Sequence, residues 1–150
     1  MKSSPTKVET FFTPSQAWPA LPLTLFTEHV PAGFPSPAEG HSDTQLDLNE
    51  FLIPNPPATF LTRVSGSSMI GVGIQDGDLL VVDRSIFPKH GDIVVAVLDG
   101  EHLVKRLSLI SGEVILFSEN PEFPHKTVIP EQNLHIWGVV RHCIHSFKCK

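Results

Sequence analysis

The chain has little cysteine, little positive charge and no long apolar run, and each shortage removes a class of protein. Of its 150 residues only two are cysteines, Cys143 and Cys149. Six positions apart, they do not make the disulfide framework of a small secreted fold. Eleven basic residues face 16 acidic ones, a formal net charge of -5. That balance argues against a basic surface gripping DNA irrespective of sequence, and no direct sequence-specific DNA binding is expected either. A role near DNA would therefore run through protein partners. The longest apolar stretches, such as Leu79–Val82 and Ile93–Leu98, have the length of strands and fall well short of a membrane span. The opening "MKSSPTKVETFFTPSQAW" lacks the uninterrupted apolar core of a secretion signal. The expectation is a cytoplasmic protein with no membrane partner.

What the chain does have is hydrophobic residues at 41%, enough for one domain with a real core, and an uneven distribution of proline. Ten of the 14 prolines fall within residues 1–57. Proline disfavours helix and removes ladder donors, so residues 1–41 are expected to form an extended, poorly packed arm and residues 42–150 the folded domain. One short helix is expected from about Asp43 to Ile53, capped by Ser42 or Asp43 and ended by Pro54. From Thr59 onward the signal is strand. "TFLTRVS", "DLLVVD", "DIVVAVLD", "EHLVKRLSL", "EVILFS" and "LHIWGVVR" are short and rich in β-branched or apolar residues. Asp99-Gly100 separates two of them by two residues, a strong hairpin signal that sets Leu98 opposite Glu101 and Val94 opposite Lys105. The fold class is mostly β.

Two residues 37 positions apart stand out chemically: Ser68 in "VSGSSMIGVGIQDGD" and Lys105 in "EHLVKRL". A serine can be made nucleophilic by a neutral lysine in place of histidine. Strand alternation puts Lys105 on one side with Leu103, Leu107 and Leu109, and His102, Val104, Arg106 and Ser108 on the other. Apolar surroundings disfavour the ammonium form and lower the lysine pKa, leaving an amine free to act as general base. A lysine on a strand ordinarily packs its stem and sends its head to water, so only the surrounding motif singles this one out. Gly66 permits a tight turn in which the backbone N–H groups of Ser67 and Ser68 can face a developing oxyanion. Sequence periodicity leaves open whether Ser67 or Ser68 is the nucleophile. A third element is Ala32-Gly33, flanked by Pro31, Pro35 and Pro37, which keep the segment out of regular structure as a cleavable peptide requires.

The segments "SGSSM", "DGDLLVVD", "GDIVVAVLDGE" and "VKRL", with the Ala-Gly dipeptide, resemble the self-cleaving serine–lysine peptidase family that includes LexA repressors and UmuD-type mutagenesis proteins. The resemblance spans about residues 30–141. It implies a compact LexA/signal-peptidase-like β domain with an N-terminal arm. It implies Ser68, the serine directly before methionine, as nucleophile, Lys105 as base in preference to the always protonated Arg106, and a scissile bond at Ala32-Gly33. Only 32 residues precede Gly33, too few and too rich in proline for the helix-turn-helix domain of a repressor. With "GFPSPA", "LDLNEFLI" and "PATF", this makes the chain similar to the UmuD/MucA branch. That branch implies cleavage stimulated by a RecA filament on single-stranded DNA. It also implies a homodimer of the shortened chain serving a UmuC-like Y-family polymerase in error-prone lesion bypass. Weighed against it are a LexA-like or phage-type repressor, a signal-peptidase-like processing enzyme, which would need a membrane anchor, and a non-catalytic interaction module.

Other groups carry weaker readings. His142, Cys143, His145 and Cys149 suggest zinc but fit no standard finger spacing, so neither a metal nor a cofactor is expected. Asp76-Gly77-Asp78 reads as a turn into the strand that ends at Asp83, and Trp137 as a core or dimer residue.

Overall fold

The computed structural model describes residues 6–12, 19–26, 32–33 and 43–148. Within them β-branched and apolar runs form ten strands: β1 Lys7–Phe12, β2 Pro22–Phe26, β3 Asp43–Asp47, β4 Thr59–Ser65, β5 Leu79–Asp83, β6 Ile93–Leu98, β7 Glu101–Ile110, β8 Glu113–Phe117, β9 Lys126–Val128 and β10 Leu134–Ile144. The helix α1 covers Leu48–Leu52. The mostly-β expectation, with one short helix, holds. The chain divides into two units, Met1–Gln16 with Asn55–Lys150, and Ala17–Pro54.

In the first unit eight strands make one antiparallel sheet in the order β1-β4-β5-β10-β6-β7-β8-β9. The long β10 joins its halves, pairing β6 with its first part and β5 with its second, with register irregularities between Ile136 and Gly138 and between Val140 and His142. Gly138 is needed there, because a Cβ would lie 2.9 Å from Asp83 O. Alternation along the strands feeds two apolar clusters. Phe60, Val64, Met69, Leu80, Val82, Val95 and Val104 form one, and Val94, Ala96, Leu98, Leu107, Leu116 and Val139 the other.

The Asp99-Gly100 hairpin is as expected, with Leu98 opposite Glu101 and Val94 opposite Lys105. Both turn residues have positive φ, 51° and 86°, which matches the right-handed twist of the flanking strands. Ser111 and Gly112 repeat the device between β7 and β8, with φ of 52° and 80°.

In the second unit β2 pairs with β3. This shortens the expected helix: Asp43–Asp47 is drawn into a ladder, so α1 starts five residues late, and Asp47 caps it in place of Ser42 or Asp43. The Asp47 carboxylate accepts from Asn49 N at 2.9 Å. The stretch expected as an extended arm contains β1 and β2, which are extended and also paired.

Candidate active site

The Ser68 turn is assembled from the end of β4 outward. Gly66 leaves the strand at φ 91°, a conformation open to glycine, and its N–H donates to Asp76 Oδ1 at 2.7 Å. Met69 is fully buried in the cluster around Phe60 and Val64, which pins the residue after Ser68. Ile70–Val72 then make one 3-10 turn, closed by Gly73 in the left-handed region. Ser68 is itself fully buried.

The chain end of β8 braces this turn from outside. Asn120, buried, donates from Nδ2 to Ser67 O at 2.9 Å, while its Oδ1 accepts from Glu122 N at 3.0 Å. A carbonyl on one side and an N–H on the other fix which way the amide faces. Gly71 N donates to Glu119 O at 2.7 Å, and a Cβ on Gly71 would lie 2.4 Å from that oxygen, so only glycine permits the approach. Arg106 holds Glu119 through an ion pair and donates from Nη1 to Gly91 O at 2.6 Å. Asn120 was not legible as a site residue, since it lies 53 positions from Ser67 and belongs to no motif.

Lys105 stands in the middle of β7, 8% exposed, and its Nζ lies 2.7 Å from Ser68 Oγ. The structure thus brings together the two residues singled out in the sequence. The reason for the burial differs in part from the parity argument. Val104 and Ser108, on the other side of β7, are as buried as Leu107, whereas Leu109 is exposed. Both faces are covered at mid-strand, so position along the strand matters as much as parity. Burial pushes the Lys105 ammonium down to about 8 from 10.5. An amine so tuned, in contact with a hydroxyl, can take its proton near neutral pH.

Ser68 Oγ has a second partner: it accepts the backbone N–H of Thr6 at 2.9 Å, and Thr6 is fully buried. Nothing in the sequence marked Thr6. Ala32 and Gly33 are exposed and sit in a bend outside helix and strand.

The remaining groups serve the fold. Asp76-Gly77-Asp78 is a turn, with Asp78 N donating to Gln75 O and Gly77 at φ 84°. Asp78, buried, accepts from Gln75 N, from Cys143 Sγ at 3.2 Å and from His145 Nδ1 at 2.5 Å. Burial pushes its carboxyl up, but those hydrogen bonds outweigh it and hold the pKa below the ordinary value. Burial, together with the Asp78 carboxylate, pushes the Cys143 thiol up to about 12, leaving it a poor nucleophile. His142 and Cys143 lie in β10 and His145 just after it; Cys149 lies outside the described residues. Asp83 accepts from Ser85 N and Oγ. Trp137 packs edge-on to Phe60 against the first apolar cluster.

A family model described as Peptidase S24-like matches residues 24–141. Protein ImpA of Escherichia coli is 52% identical over 122 residues, which cover 81% of this chain and 82% of that protein. Protein MucA of Escherichia coli is 44% identical over 123 residues, 81% of this chain and 84% of that protein. The LexA repressor of Photorhabdus laumondii is 42% identical over 111 residues, 73% of this chain but 55% of the repressor. With a buried serine against a buried lysine and relatives matched over most of their length, the chain belongs to the Peptidase S24-like family, as a self-cleaving serine peptidase of the UmuD/MucA type associated with SOS mutagenesis.

Proposed function

We propose that this protein cuts its own chain between Ala32 and Gly33, with Ser68 as nucleophile and Lys105 as general base. The observation that carries the reading is the 2.7 Å contact between Lys105 Nζ and Ser68 Oγ in surroundings that lower the lysine pKa to about 8. The neutral amine takes the Ser68 proton as Oγ attacks the Ala32 carbonyl carbon. The oxyanion is met by the backbone N–H groups of Ser67 and Ser68. Lys105 returns the proton to the Gly33 nitrogen, and the peptide bond breaks, leaving an ester between Ser68 and Ala32. Water, deprotonated by the same lysine, hydrolyses the ester. Because substrate and catalyst share one chain, a high effective concentration lets a modest catalyst suffice.

In this reading residues 1–41 carry the scissile bond and residues 42–150 the peptidase. A RecA filament on single-stranded DNA speeds the reaction by favouring the conformation in which the bond enters the site. The shortened chain, as a homodimer in the cytoplasm, then serves a UmuC-like Y-family DNA polymerase. Support for the partners comes from the similarity to ImpA and MucA. Among the described residues no helix is long and apolar enough to cross a membrane.

Incubating the purified protein alone, and with RecA, single-stranded DNA and nucleotide, tests this. Mass measurement should find residues 1–32 and 33–150, formed slowly alone and faster with the filament. The same fragments from the Ser68→Ala protein would overturn the assignment.

A further inference from the structure

We infer that the outer edge of β4 is a docking groove for an extended peptide, and that the chain's own Thr6–Phe12 segment fills it as a resident competitor that holds Ser68 out of reaction. The inference rests on the self-cleavage reading and adds its regulation. Among the described residues β1 is the last strand of the eight-stranded sheet and pairs only with β4, which keeps its second partner β5 when β1 departs. Edge strands are the ones a sheet can exchange.

The register brings the segment to the nucleophile. Lys7 lies opposite Ser65, the residue from which the chain turns through Gly66 toward Ser68. One residue before Lys7, Thr6 donates its N–H to Ser68 Oγ at 2.9 Å, while the same oxygen meets Lys105 Nζ at 2.7 Å. A hydroxyl oxygen accepts through two lone pairs. When the neutral amine accepts the Ser68 proton, Thr6 N–H still ties up one of those lone pairs, and with Ser68 fully buried beside Thr6 no carbonyl carbon can approach, so Thr6 must leave before Ser68 attacks.

The competitor is held weakly by design of the contact. Thr6 is fully buried, yet its Oγ1 has no hydrogen-bond partner among the described residues, a cost incurred each time the segment docks. The ladder is also irregular between Val8 and Thr10. Strand addition recognises backbone more than side chains. A second segment of the same chain, the proline-flanked stretch around Ala32-Gly33, is therefore a fitting replacement once it extends. β1 lies outside the residues 24–141 that the family model matches.

Two substitutions in the full-length protein test the inference. Thr6→Pro removes the N–H that reaches Ser68 and leaves the ladder that begins at Lys7. Thr10→Pro disrupts β1 in mid-strand. Two rates are measured for each, unassisted self-cleavage and labelling of Ser68 by a fluorophosphonate probe, alongside thermal melting. Thr6→Pro should raise both rates roughly fivefold, the effect of one net hydrogen bond. Thr10→Pro should raise them at least as far, and a synthetic peptide of residues 1–12 should bring its rates back down. Labelling no faster than in the unsubstituted protein, in variants that melt normally, would overturn the competitor. If no variant releases residues 1–32 while labelling still rises, the competitor stands and the self-cleavage reading falls.

Discussion

The turn around Ser68 and the bend at Ala32-Gly33 are built by opposite means. Around Ser68 the chain spends many interactions on a few atoms: Met69 buried in the core, Gly66 held by Asp76, Ser67 held by Asn120, Gly71 held by Glu119, and Lys105 pressed against the hydroxyl. Ala32 and Gly33 are exposed and belong to no helix or strand. A nucleophile must be held in its reactive geometry before the substrate arrives, since ordering it during the reaction would raise the barrier. A scissile peptide must do the reverse and give up its resting conformation at little cost. In the proposed reading, a tightly braced turn serves as catalyst and an exposed bend as substrate within one chain.

The sharpest way to break this contrast is to remove the pair itself. Ser68→Ala and Lys105→Ala should each lower self-cleavage at least about a thousandfold, as should Lys105→Arg, whose guanidinium does not give up its proton. Fragment release followed by mass measurement reads this directly. A cleaving Lys105→Arg protein would mean that the lysine only fills space.

The brace is the next target. Asn120→Ala should slow cleavage roughly ten- to a hundredfold by freeing the Ser67 carbonyl and letting the turn drift. A positioning role requires the pH midpoint of the rate to stay where it is, because Lys105 is untouched. A shifted midpoint would show instead that Asn120 acts through the lysine.

The rate should also follow the neutral fraction of Lys105. With a pKa of about 8, that fraction grows from about a tenth at pH 7 to about nine-tenths at pH 9, so unassisted cleavage should rise about tenfold and then level off. Stability follows the same proton with a defined sign. The unfolded lysine, near 10.5, binds the proton more tightly than the folded one at about 8, so the folding penalty is full below pH 8 and is relieved as pH rises toward 10.5. Melting of the Ser68→Ala protein across that window should show the rise, and Lys105→Met should flatten it.

The smallest effect should come from the β2–β3 pair. Leu25 in β2 is 46% exposed, and Leu25→Thr should change stability by no more than about 0.5 kcal/mol, measured by denaturant titration. A large loss would show that this strand is buried against something in solution.

Much of the catalytic half was readable because its signals are local. Asp-Gly forced the hairpin, the hairpin fixed Val94 opposite Lys105, and alternation along β7 pointed to burial for the lysine. Two kinds of feature escaped. Asp43–Asp47 has the composition of a helix start, yet pairing with β2 overrode that preference, as long-range partners do when local propensity is weak. Asn120 and Thr6 act through single contacts spanning 53 and 62 positions, and no pattern in their neighbourhood carries such information.

By itself the sequence determined the reactive chemistry: a serine after a glycine turn, a lysine on a hydrophobic strand, a proline-flanked Ala-Gly and a β-rich framework. These follow from residue type and short spacing, which act through local sterics and strand periodicity. The tertiary structure alone decided that Lys105 Nζ and Ser68 Oγ meet at 2.7 Å, that Asn120 braces the turn, and that Thr6 reaches the same oxygen. Those contacts arise only when β1, β4, β7 and the end of β8 are assembled, because burial and hydrogen bonding between distant segments depend on how the whole sheet packs.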